Sequence, residues 1–162
     1  MTGVQTCALP ISLGWTSDRN GYRYTPQDPE SNQPWPAMPN SFLQLACSAA
    51  ASCGFKNFMP DACLINQYKE GASMGLHQDK DESDLSQPIV SVSLGIPALF
   101  QFGGLLRSDK PIKISLSHGD IVVWGVQARL NYHGILPIKP NTHASLGAYR
   151  FNLTFRKAGS CI

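Results

Sequence analysis

The sequence predicts a mainly β protein of the α+β class, a sandwich or jelly roll with one flanking helix. Short runs rich in Val, Ile, Phe and Thr follow one another after residue 60, and turn residues separate them. Between residues 40 and 54 the apolar side chains instead recur at helical spacing. A chain of 162 residues is long enough for one domain with a buried core. Closely spaced strands with little helix are typical of sandwiches and jelly rolls.

The flanking helix is predicted between residues 40 and 54. Asn40 or Ser41 can cap its first turn, and Gly54 provides a stop at its C-terminal end. The apolar residues at helical spacing are Phe42, Leu45, Ala46, Ala49 and Cys53. Before the helix, residues 13–39 are rich in Pro, Gly, Asn and Gln, which predicts long loops with at most short strands.

Six strands are predicted in the rest of the chain. They are Ala62–Tyr68, Ile89–Gly95, Ala98–Phe102, Ile112–Leu116, Ile121–Trp124 and Tyr149–Arg156. The pair Gly103-Gly104 and residues 117–120 have the composition of turns. The acidic and polar stretch from residue 80 to residue 88 is expected to be a surface loop.

The first residues differ in character from the rest of the chain. Residues 3–11 read GVQTCALPI, which resembles the translation of a common sequencing-adapter oligonucleotide. We therefore expect residues 1–12 to be an adapter-like or disordered N-terminus outside the fold. The alternative is a natural, poorly ordered terminus. The domain would then run over residues 13–160, with the N-terminal part of the natural domain missing.

Composition limits the classes of function and partner. A net charge of +2 is too small to indicate a nucleic-acid partner by itself. No apolar run approaches the length of a membrane span and no secretory signal is evident, so a membrane partner is not expected. The five cysteines form no CxxC pair, which favours reduced thiols in a cytoplasmic protein over a zinc site.

The most informative polar residues are His77, Asp79 and, much later in the chain, His133. Two imidazoles and one carboxylate form the facial triad that holds Fe(II) in non-heme oxygenases and leaves the opposite face of the metal open. The open positions can take an organic co-substrate and O2. A His-x-Asp pair alone is also common in solvated turns, so this prediction depends on the rest of the sequence.

A second group of polar residues lies in the last predicted strand. Strand residues alternate between two faces, so Arg150, Asn152 and Arg156 share one face, and three apolar side chains occupy the other. Guanidinium groups bind carboxylates through two parallel hydrogen bonds. A dicarboxylic acid such as 2-oxoglutarate would satisfy both arginines at once. The alternative is an edge strand whose arginines are solvated.

Eight segments of the chain carry a resemblance to a known family. They are WPAMP (35–39), PDACLINQY (60–68), LHQDKDE (76–82), PIVSVSLG (88–95), FQFGG (100–104), HGDIVVWG (118–125), YHGI (132–135) and RFNLTFR (150–156). In order and spacing these segments resemble the AlkB family of Fe(II)- and 2-oxoglutarate-dependent dioxygenases. The resemblance runs from about residue 13 to residue 159. It implies a double-stranded β-helix, a variant of the jelly roll, which agrees with the predicted strands.

The resemblance implies roles for individual residues at the catalytic centre. His77, Asp79 and His133 would be the iron ligands. The residues that would bind 2-oxoglutarate are Asn66, Tyr68, Arg150, Asn152 and Arg156, with Arg150 on the distal carboxylate. Strand alternation supports this assignment, since Asn66 and Tyr68 share one strand face. Trp124 is expected in the core near the site, and neither His118 nor His143 is expected to bind metal.

The resemblance also implies substrate contacts for Trp15, Tyr22, Asp81 and Arg107. An aromatic face can stack on a flipped base. A base methylated at a ring nitrogen carries positive charge, so a carboxylate such as Asp81 favours it over the undamaged base. Taken without the resemblance, the alternative for the two aromatic residues is ordinary packing within loops, and Asp81 would more often face solvent.

The implied function is an oxidative demethylase that uses Fe(II), 2-oxoglutarate and O2. It would remove alkyl groups from ring nitrogens of damaged bases and release formaldehyde, succinate and CO2. Its partner would be alkylated single- or double-stranded DNA, with RNA as an alternative that the sequence leaves open, and the enzyme would be a cytoplasmic monomer. Two alternatives stay open. One is a 2-oxoglutarate oxygenase that hydroxylates a protein side chain or a small metabolite, and the other is a non-catalytic jelly-roll binding module.

Overall fold

A computed structural model describes residues 4–10, 13–19 and 21–159. The elements in chain order are β1 (Val4–Pro10), β2 (Gly14–Asp18), β3 (Gly21–Thr25), α1 (Asn40–Ser52), β4 (Ala62–Tyr68), β5 (Met74–His77), β6 (Ile89–Gly95), β7 (Ala98–Phe102), β8 (Ile112–Leu116), β9 (Ile121–Trp124), a 3-10 turn (Val126–Ala128), β10 (His133–Ile135) and β11 (Arg150–Arg156).

The strands form two main antiparallel sheets. The first has the order β1-β4-β11-β6-β9, and the second has the order β5-β10-β7-β8. Strands β2 and β3 form a separate two-stranded ribbon. Non-consecutive strands are neighbours in both sheets, which is the double-sheet arrangement of a jelly roll. The predicted fold class, a mainly β jelly roll with one flanking helix, is confirmed.

Two apolar clusters hold these layers together. Helix α1 covers the outer face of the first sheet, where Ala46 and Ala50 pack in one cluster with Leu153 and Phe155 of β11. The ring of Phe42 meets the ring of Phe155 edge-on at 6.2 Å. A second cluster lies between the sheets and joins β4, β7 and β10. Because β11 buries its apolar face under the helix, its polar face is directed toward the space between the sheets.

The helix begins and ends close to the predicted positions, but its N-terminal cap differs. Pro39 occupies the cap position without a side-chain hydrogen bond, so the prediction that Asn40 or Ser41 caps the helix is wrong. The backbone carbonyl of Pro39 accepts hydrogen bonds from the N–H groups of Phe42 and Leu43 instead. At the other end Gly54 has a φ of 95°, a conformation that glycine adopts readily.

Strand β1 differs from the sequence prediction. Residues 1–12 were expected outside the fold, yet Val4–Pro10 pairs along its whole length with β4, from Val4 opposite Tyr68 to Pro10 opposite Ala62. The prediction is therefore wrong for these seven residues. Pairing at a sheet edge uses the backbone N–H and C=O groups of the exposed strand, so it depends little on which side chains are present.

Two further expectations can be compared with the structure. Among the described residues of the segment 13–39, namely 13–19 and 21–39, the strands are the short ribbon strands β2 and β3, as predicted. The acidic stretch 80–88 lies largely at the surface, but Glu82 and Pro88 are buried, so the surface-loop prediction is wrong for these two residues. Among the residues that the structure describes, no helix is long and apolar enough to cross a membrane.

Candidate active site

His77 and His133 meet because β5 and β10 are neighbouring strands. The two histidines lie directly opposite each other in this antiparallel pair, and their ring centroids are 4.4 Å apart. Side chains that oppose each other across two strands are within contact distance. Asp79 lies two residues beyond the end of β5, close enough for its carboxylate to reach both imidazoles.

The three side chains direct ligand atoms toward one point. One such atom from each residue lies within 4.8 Å of the other two. Asp79 Oδ1 is 3.7 Å from His77 Nε2, and Asp79 Oδ2 is 3.5 Å from His133 Nε2. Nδ1 of His77 lies 2.9 Å from the carbonyl oxygen of Gly75, and Nδ1 of His133 lies 3.0 Å from that of Asn131. These contacts favour a proton on each Nδ1 and leave both Nε2 atoms to bind a metal.

The protonation states of the cluster suit a metal site. Burial alone would raise the pKa of Asp79, but the guanidinium of Arg156 and the two imidazoles outweigh it and hold that pKa well below its usual range. Burial and the neighbouring His133 lower the pKa of His77. An ionised carboxylate and a neutral imidazole are the forms that bind metal. Two imidazole nitrogens and a carboxylate oxygen therefore fit Fe(II).

The residues predicted to bind 2-oxoglutarate lie on the other sheet. Strands β4 and β11 are neighbours, with Arg150 opposite Tyr68 and Asn152 opposite Asn66. All four side chains are buried and line one cavity with the histidines. Strand β11 lies between β4 and β6, so the alternative of an edge strand with solvated arginines is wrong.

Arg150 is a buried cation whose environment fits a carboxylate ligand. It is 1% exposed, and its guanidinium carbon lies 5.0 Å from the centre of the Tyr68 ring. Its Nη2 donates a hydrogen bond to Ser93 Oγ at 3.0 Å, but Nε and Nη1 have no hydrogen-bond partner among the described residues. Burial lowers the pKa of Arg150. A buried guanidinium is destabilising unless an anion pairs with it, so these atoms fit a carboxylate of 2-oxoglutarate.

Arg156 has a different environment from Arg150. Its Nη2 lies 2.7 Å from Asp79 Oδ2 as an ion pair, and its Nη1 donates to Glu82 Oε1 at 3.2 Å. Nη1 also donates to the Tyr24 hydroxyl at 3.0 Å. Burial alone would lower the pKa of Arg156, but these acidic neighbours outweigh it and raise that pKa. Arg156 therefore links the carboxylate of the candidate metal site to a second buried carboxylate.

One cavity of about 370 Å³ brings the predicted site residues together. Every residue predicted to contact metal, 2-oxoglutarate or substrate lines it. These residues are Trp15, Tyr22, Asn66, Tyr68, His77, Asp79, Asp81, Arg107, His133, Arg150, Asn152 and Arg156. Their chemical roles stay predictions, but their meeting in one place is a property of the structure.

Trp15 and Tyr22 form an aromatic wall of this cavity. The two rings stack with centroids 5.3 Å apart and planes inclined by 15°. Tyr22 is 58% exposed, and Asp81 and Arg107 are also exposed, which places these residues at the mouth of the cavity. Asp81 is thus both solvent-facing and part of the cavity lining.

Sequence reasoning missed a buried ionic cluster beside the metal ligands. The side chain of Glu82 is 0% exposed and pairs with Arg129 at 3.0 Å and with Arg156 at 3.2 Å. Nη1 of Arg129 also donates to the backbone carbonyl of Asp79 at 2.6 Å. The hydroxyl of Tyr24 donates to Glu82 Oε1 at 2.7 Å. These partners are far apart in sequence, so no local spacing could have identified them.

Trp124 lies beside the candidate metal ligands, whereas His118 and His143 form a separate pair. Trp124 is 5% exposed, and its ring lies 5.0 Å from that of His133, as predicted for a core residue near the site. His118 and His143 stack on each other at 4.3 Å. Each accepts a backbone N–H at Nδ1, from Gly95 and Ser145 respectively. Within the described residues, neither belongs to the three-ligand cluster.

Comparisons with known proteins agree with this geometry. The sequence model of the 2OG-Fe(II) oxygenase superfamily matches residues 4–156. The alpha-ketoglutarate-dependent dioxygenase AlkB of Escherichia coli strain K12 is 59% identical over 147 residues, which cover 91% of this chain and 68% of that protein. The DNA N(6)-methyladenine demethylase ALKBH1C of Arabidopsis thaliana is 32% identical over 171 residues, which cover 91% of this chain and 38% of that protein.

A solved structure agrees as well. The structure of OsALKBH1 matches with a TM-score of 0.82 at 33% sequence identity, over 96% of this chain and 78% of that one. The superfamily match spans nearly the whole chain, and the match to E. coli AlkB spans more than two thirds of that protein. The chain therefore belongs to the 2OG-Fe(II) oxygenase superfamily and, within it, to the AlkB family of dioxygenases, which use Fe(II), 2-oxoglutarate and O2.

Proposed function

We propose that this dioxygenase is an oxidative demethylase that removes alkyl groups from ring nitrogens of damaged DNA or RNA bases. One observation carries the proposal: a single cavity combines the three-ligand cluster, a buried arginine suited to an anion, and a flat aromatic wall at its mouth. A metal, a dicarboxylic co-substrate and a planar substrate can therefore be held side by side.

His77, Asp79 and His133 hold the Fe(II) in this proposal. The two histidines are oriented by hydrogen bonds to backbone oxygens, and Asp79 is kept ionised by Arg156. When bound, Fe(II) and 2-oxoglutarate would supply the oxidation: 2-oxoglutarate would lose CO2 and take up one atom of O2 to become succinate, and the other atom would enter the alkyl carbon, which leaves as formaldehyde. The protein orients the reactants and keeps water out of the cavity between the sheets.

Arg150 anchors the distal carboxylate of 2-oxoglutarate. Its Nε and Nη1 face no hydrogen-bond partner among the described residues, and its charge has no carboxylate beside it there. Asn66, Tyr68 and Asn152 surround the same part of the cavity and complete the pocket. Arg156 stands between this pocket and Asp79, so it contributes positive charge to both.

Trp15 and Tyr22 receive the alkylated base. Stacking of a base on an aromatic side chain contributes about 1–3 kcal/mol. The carboxylate of Asp81 favours a base that carries positive charge after alkylation, and exposed Arg107 can meet a phosphate or a base edge. The activity named for the Arabidopsis relative is demethylation of DNA N(6)-methyladenine, which supports a methylated base as the kind of substrate. The N6 nitrogen is exocyclic, so the preference for ring nitrogens is supported by Asp81 and the aromatic wall alone.

Mass spectrometry of a methylated oligonucleotide tests the proposal. Incubation with the protein, Fe(II), 2-oxoglutarate and air should remove the mass of one methylene group, with formaldehyde and succinate formed in equal amounts. His77→Ala is the control and should leave the oligonucleotide unchanged. Consumption of 2-oxoglutarate without any change in oligonucleotides would instead indicate a protein side chain or small metabolite as the substrate. Failure to take up iron at all would indicate a binding module.

We further propose that the enzyme works as a monomer in the cytoplasm. One chain supplies all twelve predicted site residues that line the cavity. Cys47, Cys53 and Cys63 are free thiols, which suits a reducing compartment. Size-exclusion chromatography with light scattering should give the mass of one chain, and the mass of a dimer would contradict the proposal.

A further inference from the structure

The aromatic wall belongs to a ribbon that also reaches inward toward the metal ligands. Tyr22 and Tyr24 are two residues apart on β3, so their side chains lie on the same side of the ribbon. Trp15 on β2 lies directly opposite Tyr24 and stacks on Tyr22. Tyr22 is exposed at the mouth of the cavity, whereas the hydroxyl of Tyr24 contacts Glu82 in the interior.

The Tyr24 hydroxyl closes a ring of three hydrogen bonds. It donates to Glu82 Oε1 at 2.7 Å and accepts from Arg156 Nη1 at 3.0 Å. The same Nη1 donates to Glu82 Oε1 at 3.2 Å. The other terminal nitrogen of Arg156 lies 2.7 Å from Asp79. One guanidinium therefore connects the ribbon to a metal-ligand carboxylate.

Glu82 is held firmly from its other side. Its second carboxylate oxygen, Oε2, pairs with Arg129 Nη2 at 3.0 Å. Arg129 is itself 3% exposed and bonded to the backbone carbonyl of Asp79. Because both oxygens of Glu82 are engaged by guanidinium groups, the point at which Tyr24 attaches is rigid. A hydrogen bond to such a fixed, charged group is stronger than one to a neutral partner.

We propose that Tyr24 is a positioning residue that couples the aromatic wall formed by Trp15 and Tyr22 to the occupation of the metal site. Metal and co-substrate bound beside Asp79 and Arg156 restrict the motion of the buried ionic cluster of Glu82, Arg129 and Arg156. The hydrogen bonds of Tyr24 to this cluster extend the restriction to the ribbon formed by β2 and β3. The coupling is reciprocal, so the ribbon in turn steadies Arg156. The inference rests on the proposed function for the identity of the substrate as a base, but the coupling itself does not depend on it.

Hydrogen exchange tests the coupling without any turnover. In the wild-type protein, adding Mn(II) and 2-oxoglutarate should slow exchange of the backbone amides in β2 and β3. In Tyr24→Phe, which keeps the ring and the Arg156–Glu82 ion pair, this slowing should be lost. The matched control is Tyr149→Phe, which removes a hydroxyl from a tyrosine that is 44% exposed and packs beside Phe151. It should behave as the wild type.

Steady-state kinetics supply the second readout. Tyr24→Phe should raise KM for a methylated oligonucleotide by about tenfold, the effect of one hydrogen bond to a charged group. Its kcat should change by less than about twofold, since the ligand residues keep their partners. If Tyr24 had only a structural role, Tyr24→Phe would lower thermal stability but would not raise KM for the oligonucleotide while leaving kcat unchanged.

Each outcome decides the proposal. Equal slowing of ribbon exchange in wild type and Tyr24→Phe would overturn it, and so would a variant that loses metal binding as completely as His77→Ala. If Tyr24→Phe does not fold, the wild type alone decides, because a ribbon that exchanges equally fast with and without metal and 2-oxoglutarate is not coupled. If the wild type does not demethylate oligonucleotides, the proposed function fails, while the exchange comparison still tests Tyr24.

Discussion

The guanidinium of Arg156 lies 2.7 Å from the carboxylate of Asp79. Arg156 ends strand β11, so this ion pair joins the last strand of the fold to one of the three candidate metal ligands. Arg150, at the other end of the same strand, faces the cavity with two guanidinium nitrogens, Nε and Nη1, that have no hydrogen-bond partner among the described residues. Two buried arginines on one face of the same strand therefore have different roles. Arg150 is available to an external carboxylate, whereas Arg156 is already paired with carboxylates of the chain.

The substitution Arg150→Met should have opposite effects on ligand binding and on stability. Loss of the guanidinium should weaken 2-oxoglutarate binding by about 2 kcal/mol, a roughly thirtyfold rise in Kd. The ligand-free protein should gain about 1 kcal/mol in free energy of unfolding, because a buried unpaired charge is replaced by an apolar side chain. Calorimetric titration and urea denaturation measure the two quantities. A ligand-free variant less stable than the wild type would show that Arg150 is a structural residue.

The same substitution at Arg129 should only destabilise. Arg129→Met leaves Glu82 with one fewer cationic partner and removes the hydrogen bond to the Asp79 carbonyl. We expect the free energy of unfolding to fall by about 3 kcal/mol, as when one partner of a buried ion pair is removed. Urea denaturation without metal checks this, with Arg150→Met as the matched control. Equal stability of the two variants would contradict the distinction between a paired and an unpaired arginine.

The metal-free protein should lose stability as the pH falls below about 6.5, the ordinary pKa of histidine. The pKa of His77 is lowered in the folded protein by burial and by His133. Between the folded and unfolded pKa values of His77, the unfolded chain binds more protons than the folded protein, so the free energy of unfolding increases with pH in this range. The contribution of His77 to stability is complete above the unfolded pKa and is lost as the pH falls through the folded pKa. Urea denaturation across this range should show a weaker pH dependence for His77→Gln. An identical pH dependence in the wild type and His77→Gln would show that His77 does not cause the loss of stability at low pH.

The alternating pattern of residues 150–156 predicted one polar strand face of the candidate site, with Arg150, Asn152 and Arg156, because a strand has only two faces. Three apolar side chains on one face required a core, and the opposite face then had to meet the cavity. The pairing of Asn152 with Asn66 and of Arg150 with Tyr68 followed once β4 and β11 became neighbours. Strands β5 and β10 were not predicted, because runs of four and three residues are too short to show a period.

The buried ionic cluster could not have been read from the sequence. Glu82 lies in an acidic stretch that is otherwise largely exposed, and its partners Arg129 and Tyr24 are 47 and 58 residues away. Charged residues in a loop usually face solvent, so burial of Glu82 depends on cations supplied by other parts of the fold. Strand β1 was missed for a related reason, since its pairing uses backbone groups of β4 rather than a side-chain pattern.

Discrimination between charged and neutral substrates should depend on Asp81. Its carboxylate lies at the exposed mouth of the cavity, so an interaction with a cationic base contributes about 1 kcal/mol. Asp81→Asn should therefore raise KM about fivefold for an oligonucleotide with a cationic methylated base, and leave KM unchanged for one with a neutral alkylated base. Competition between the two oligonucleotides in one reaction directly measures the ratio of their kcat/KM values. An equal loss for both would show that Asp81 does not sense charge.

Anaerobic titration with Fe(II) and 2-oxoglutarate tests the central claim most directly. If His77, Asp79 and His133 hold one metal ion beside a 2-oxoglutarate anchored by Arg150, the wild type should bind one equivalent of iron. The complex should then develop a visible absorption band only when 2-oxoglutarate is added. His77→Ala should show neither change, and Arg150→Met should bind iron but require more 2-oxoglutarate to develop the band. Iron uptake by His77→Ala equal to that of the wild type would contradict the claim.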